Sequence, residues 1–167
     1  MNSKIVTVNA LLILLGKQYK NKKTGIITGC FDVLHTGHID LFQFAKKYVD
    51  VLIVGIDTDA AIKKIKGGLR PINTQKERAR MLAAIVYVDN VLLLSNKHAF
   101  SSQAANNYYD DLILKLKPNH LITARSSDSY WNAKKERMEK AGGTLLIYNG
   151  KQIISTSSLA AKIIAIE

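Results

Sequence analysis

The chain has 167 residues, 47% of them hydrophobic and 22% charged, with two prolines, ten glycines and one cysteine. That length suits one domain with its own core, and the composition is too apolar for a disordered chain. A single cysteine excludes an intramolecular disulfide framework and a cysteine-only zinc site, while 24 lysines and arginines against 13 carboxylates leave a net charge of +11.

The longest apolar run, Ile5 to Leu15, is broken by Thr7 and Asn9 and falls short of the roughly 20 residues that a membrane helix needs. No small-residue cleavage site precedes Lys17, so the expectation is a cytoplasmic protein without a signal peptide. The first element expected is a short amphipathic helix, Val8–Lys20. Apolar runs at Gly25–Gly29, Val51–Asp57, Val91–Leu94, His120–Ala124 and Thr144–Tyr148 read as strands. Between and after them lie helical stretches at Gly37–Tyr48, Asp59–Lys66, Thr74–Tyr87, Gln103–Leu116, Asp128–Ala141 and Ser157–Ile166, the first with Leu41, Ala45 and Tyr48 on one face. Continuous apolar strands that alternate with helices predict an α/β fold. The expected architecture is one domain over residues 1–167, a doubly wound five-stranded parallel sheet with an N-terminal helix and ligands at the carboxyl ends of its strands.

Strand one runs into Gly29-Cys30-Phe31-Asp32-Val33-Leu34-His35-Thr36-Gly37-His38, where a strand hands over to a helix start. The N–H groups and dipole there attract phosphate. Gly37 lets a ligand approach the backbone, and two imidazoles can donate hydrogen bonds to phosphate oxygens. Zinc on Cys30, His35 and His38 is the alternative, and it requires a further ligand. Neither Gly16-Lys17 nor Gly150-Lys151 completes a Walker A pattern, and no Gly-x-Gly-x-x-Gly occurs.

Lys63, Lys64, Lys66, Gly67, Gly68, Arg70 and Pro71 form a basic helix end with a glycine turn. It reads either as a solvated turn or as a loop whose cations close over a triphosphate. Thr74 with Glu77 fits a capping box and leaves Arg78 one turn into the helix, facing the cleft or a surface carboxylate. Ser155-Thr156-Ser157-Ser158 precedes the last helix; one hydroxyl there serves as a cap, and four exceed that need and could hold phosphate. Tyr130 and Trp131 are candidates for stacking on a base or for packing a helix start. Cys30 reads as a small buried hydrophobe or a reactive thiol.

Residues 29–38 resemble the signature of the cytidylyltransferase-like nucleotidyltransferases. The likeness runs on through Asp57-Thr-Asp59, Lys66-Gly-Gly-Leu-Arg70-Pro71, Arg78 and Tyr87-Val-Asp89 to Ser155-Thr156-Ser157. Among its subfamilies the chain is most similar to the adenylyltransferase domain of ADP-heptose synthase. Glycerol-3-phosphate and ethanolamine-phosphate cytidylyltransferases come next. The resemblance implies transfer of a nucleoside monophosphate from ATP or CTP to a phosphorylated small molecule such as a sugar phosphate, with release of pyrophosphate. Mg2+ would accompany the nucleotide, and no residue is assigned to a metal.

On this resemblance His35, His38, Lys66 and Arg78 would be catalytic. Gly29, Cys30, Phe31, Asp32, Gly37, Ser155, Thr156 and Ser157 would bind the nucleotide, and Asp57, Asp59, Arg70 and Arg125 would shape the base or acceptor pocket. Partners would be the triphosphate and the acceptor, without membrane or nucleic acid; homodimers are usual in that family. Two segments depart from its pattern: Thr123-Ala-Arg-Ser-Ser-Asp128 replaces a glycine-acidic turn, and Gly150 stands where cytidylyltransferases carry an arginine. The first departure favours a second class, a nucleotide- or RNA-binding module that kept the fold and lost the chemistry.

Overall fold

The computed structural model describes residues 3–150 together with Ser158, Leu159 and Ala161. In chain order the elements are β1 (Ile5–Val6), α1 (Val8–Gly16), β2 (Thr24–Gly29), α2 (Thr36–Lys46), β3 (Val51–Ile56) and α3 (Asp59–Lys66). They continue with α4 (Gln75–Ala83), β4 (Asn90–Leu93), α5 (Gln103–Leu116), β5 (His120–Ala124), α6 (Trp131–Lys140) and β6 (Thr144–Tyr148). The strands form one parallel sheet in the order β1-β4-β3-β2-β5-β6. Among the described residues no helix is long and apolar enough to cross a membrane.

The doubly wound fold is as expected, with six strands where the sequence suggested five. The addition is β1, whose Ile5 and Val6 pair with Val91 and Leu92 of β4. Two residues carry no readable period, and they merge with the apolar helix behind them. Thr7 separates the two elements, because its hydroxyl accepts from the Ala10 N–H at 3.3 Å and starts α1. Most of the expected last helix, and Ser155, Thr156 and Ser157 ahead of it, lie outside the described residues.

The period of two within the strands divides the core between the faces of the sheet. On one face Ile27, Leu52, Val54 and Ile56 pack with Phe42 and Ala45 of α2 and Leu82 of α4. On the other, Ile26, Val51 and Ile53 pack with Leu11 of α1, with Leu112, Ile113 and Leu116 of α5, and with Met138 of α6. Among the described residues the buried charged side chains are Asp32, Asp57, Arg78 and Arg137. Asp57 follows β3 directly and Asp32 stands in the loop just after β2, so burial of charge begins where the strands end.

Candidate active site

Chain order reverses between β2 and β5: from β2 the chain steps outward through β3 and β4, then returns to the other side of β2. Crossover helices leave in opposite directions from such a point and open a crevice at the carboxyl ends of the strands. A cavity of about 350 Å³ lies there. Its floor is Gly29, Cys30 and Phe31 after β2, Asp57 after β3, and Thr123 and Ala124 at the end of β5.

His35 is the N-cap of α2 and His38 its third residue. Their rings stack with centroids 3.8 Å apart, and Phe31 meets His38 edge-on at 5.1 Å. The His35 backbone N–H donates to His38 Nδ1 at 3.4 Å. That bond makes Nδ1 the acceptor and leaves the proton on Nε2. Burial, then the neighbouring His35 and Lys66, push the His38 pKa down to about 3; burial also lowers that of His35. Both rings line the cavity as neutral imidazoles at physiological pH.

Lys66, the last residue of α3, also lines the cavity. Arg78 does not. Its side chain is fully buried, and its guanidinium donates to the carbonyls of Asn73 (3.1 Å), Cys30 (2.5 Å) and Asp57 (2.8 Å) and to Asp59 Oδ1 (2.7 Å). Asp59 is thereby engaged at the start of α3. Asp32 accepts from the N–H groups of Ile72 (2.8 Å) and Asn73 (3.0 Å) and pairs with Arg70 at 3.0 Å. Arg70 holds the glycine loop down through that pair. Arg125 lies over the Trp131 ring at 4.6 Å, and Gly37 borders a smaller hollow beside Tyr148.

The opposite wall of the cavity comes from α5 and α6. Tyr109 donates to the buried Asp57 carboxylate at 2.5 Å. Burial raises the Asp57 pKa, against the pull of Tyr109, Lys134 and Arg78. Burial and the Asp57 charge push the Cys30 thiol up to about 12. Asp128 accepts from the Tyr130 N–H (2.9 Å) and the Thr123 hydroxyl, and pairs with Lys134 at 2.7 Å. Burial pushes Asp128 up, but Lys134, Thr123 and Tyr130 outweigh it and hold its carboxyl below the usual range.

Of the residues singled out in the sequence, His35, His38, Lys66, Gly29, Cys30, Phe31, Asp32 and Asp57 line the cavity, and Arg78, Asp59, Arg70, Arg125 and Gly37 stand outside its lining. Sequence reasoning missed Asn106, Tyr109, Lys134 and Arg137, which also line it. The signal was available: these are the fourth and seventh residues of α5 and of α6. A crossover helix begins beside the carboxyl ends of the strands, so polar residues on the inward stripe of its first two turns face the crevice.

The fold and the placement of the cavity define a Rossmann-like α/β protein with its ligand site at the switch point. The cytidylyltransferase-like family model matches residues 26–163, and the chain belongs to this family. The bifunctional protein HldE of Campylobacter jejuni subsp. doylei is 41% identical over 119 residues, which cover 71% of this chain and 23% of that protein. HldE of Koribacter versatilis is 42% identical over 96 residues, covering 57% and 20%. The chain spans about a quarter of the length of such curated relatives. Among solved structures, a lipopolysaccharide core biosynthesis protein from Thermoplasma volcanium superposes with a TM-score of 0.58 at 22% identity, over 76% of this chain and 94% of that one. Pantoate-beta-alanine ligase from Francisella tularensis gives 0.68 at 17% identity, over 93% and 72%. These two likenesses concern the fold.

Arg78→Ala strands buried acceptors and the Asp59 charge, so it is expected to cost about 3–5 kcal/mol in urea unfolding; Arg78→Lys, which lacks the planar fork, restores little. His38 stays neutral in the folded chain, while in the unfolded chain it binds a proton below its ordinary value of 6.5. Its contribution is complete above that value and is lost as pH falls toward about 3. Between pH 7 and 5 the parent chain should lose about 2 kcal/mol more stability than His38→Gln, measured by urea unfolding in phosphate-free buffer.

Proposed function

We propose that the chain is a nucleotidyltransferase that moves a nucleoside monophosphate from ATP or CTP to a phosphorylated small molecule, a sugar phosphate such as heptose 1-phosphate, and releases pyrophosphate. Membership of the family and the HldE relatives support this reading. The observation that carries it is the pair of neutral, stacked imidazoles at the start of α2, opening on a cavity at the switch point.

The acceptor phosphate oxygen is already anionic, so the reaction requires no general base and no covalent enzyme intermediate. That oxygen attacks the α-phosphorus as the bond to pyrophosphate breaks. Catalysis then consists of holding the two in line and neutralising charge as it spreads over the phosphoryl oxygens. His38 donates from Nε2, the tautomer its Nδ1 contact selects. His35 and Lys66 hold the remaining phosphate charge, helped by the dipole of α2. Arg78 acts as a positioning residue, since its donors are spent on the strand ends.

Among the described residues no group of three or more ligating side chains is placed to hold a metal ion. Asp32, Asp57 and Asp128 each have protein partners. Magnesium would therefore be carried mainly by the triphosphate oxygens, where it supplies further charge neutralisation. Ser155, Thr156 and Ser157 keep the phosphate-binding role that the resemblance implies.

His38→Ala is expected to fold normally and to lower turnover about a hundred- to a thousandfold in a pyrophosphate-release assay with nucleotide and sugar phosphate. Near-normal turnover would remove His38 from the reaction. A thermal-shift panel of ATP, CTP, GTP and UTP with magnesium separates a nucleotide site from an RNA-binding module, since a protein is stabilised by the nucleotide it binds, and pyrophosphate release then separates an enzyme from an inactive nucleotide binder. A nucleic-acid module instead shows no such shift and an RNA affinity that collapses with salt.

A further inference from the structure

The two ends of the sheet treat their cations differently. Around the carboxyl ends of the strands, Arg70, Arg78, Lys134 and Arg137 each pair with a carboxylate. At the amino ends, β2, β3, β5 and β6 begin side by side, with Thr24 opposite Val51, Gly25 opposite His120 and His120 opposite Thr144. The segments leading into these strands carry Lys20, Lys22, Lys23, Lys47, Lys117 and Lys140, all exposed and, among the described residues, none in an ion pair. The carboxylates of this end are already engaged. Asp50 accepts from the Lys23 N–H at 2.8 Å, Asp89 pairs with Lys46 at 3.0 Å, and Glu139 lies 3.8 Å from Lys135. A lysine in the last turn of a helix answers the negative end of its dipole, but Lys20, Lys22 and Lys23 lie beyond α1 and answer none. This end of the molecule is therefore a positive face.

Apolar side chains stand exposed among these charges. Val86, in the turn between α4 and β4, is 81% exposed. Lys4 donates to the Ile85 carbonyl on one side of it at 3.2 Å, and Lys46 holds Asp89 on the other. Tyr48, 46% exposed, follows Lys46 and Lys47. Ammonium groups that flank apolar tips fit a surface with spread negative charge and hydrocarbon beneath it. A nucleic acid offers the charge without the hydrocarbon and is better gripped by the guanidinium fork, whereas the cations leading into these four strands are lysines. We propose that the amino-end face docks on a bilayer rich in anionic phospholipid, its lysines over the headgroups and Val86 and Tyr48 at the acyl boundary. The cavity lies at the other end of the strands, so it faces away from the bilayer and stays open to soluble ligands. The docking is independent of the reaction carried out in the cavity.

Sedimentation of the full chain with vesicles of phosphatidylcholine alone, and of phosphatidylcholine and phosphatidylglycerol in equal parts, tests this directly. The anionic vesicles should bind about a hundredfold tighter, and the difference should shrink as salt is raised. Replacing Lys22, Lys23 and Lys117 together by glutamine should weaken that binding at least about tenfold. Val86→Ser should weaken it about fivefold and leave any affinity for single-stranded RNA unchanged. These side chains are exposed, so both variants should unfold at the parent's temperature. Equal or absent binding to the two kinds of vesicle overturns the proposal, as does anionic-vesicle binding that neither variant alters. RNA bound more tightly than the anionic vesicles, with Val86→Ser without effect on the vesicles, gives the face to nucleic acid and overturns it as well.

Discussion

The buried guanidinium of Arg78 is the contact on which the site depends. It joins the carbonyl ends of β2 and β3, the loop at Asn73 and the start of α3 in one fan of hydrogen bonds. A charge taken out of water is tolerated only when its donors are matched, and here four acceptors match them. Its helix is fixed in turn: Thr74 and Glu77 close a capping box, and Gln75 donates to the carbonyls of Ile56 and Leu94. Three strand ends and a helix start are thereby set relative to one another. Lys66 hangs from the far end of that same helix α3, so its place at the cavity follows from the clamp.

Upon that frame, the imidazole pair gains its chemistry from what is withheld. Desolvation keeps both rings uncharged, and one backbone N–H settles which nitrogen of His38 carries the proton. A preset donor needs little reorganisation when charge grows in front of it.

Much of this was legible in the sequence. Continuous apolar runs marked the strands, and the histidine pair stood out because a strand and a helix start flank it. Thr74 and Glu77 announced their cap. Arg78 was legible as a residue that could pair with a carboxylate, as it does with Asp59, but its other three partners are main-chain carbonyls of residues 30, 57 and 73, which no side-chain pattern encodes. Asp32 and Arg70 were likewise read as ligand contacts; the two pair with each other, and Asp32 lines the cavity while Arg70 stands outside its lining. Tyr109 and Lys134 were hidden because their helices look like ordinary amphipathic crossovers until the strand order is known.

The raised thiol of Cys30 has a bearing on the kind of molecule this floor can tolerate. With its pKa at about 12, only about one thiol in a hundred thousand is ionised at neutral pH. A thiolate at this place would set a negative charge against the oxyanions of a bound phosphate. A sulfur atom held in its protonated state leaves the floor uncharged, so an anionic ligand can rest on it without repulsion.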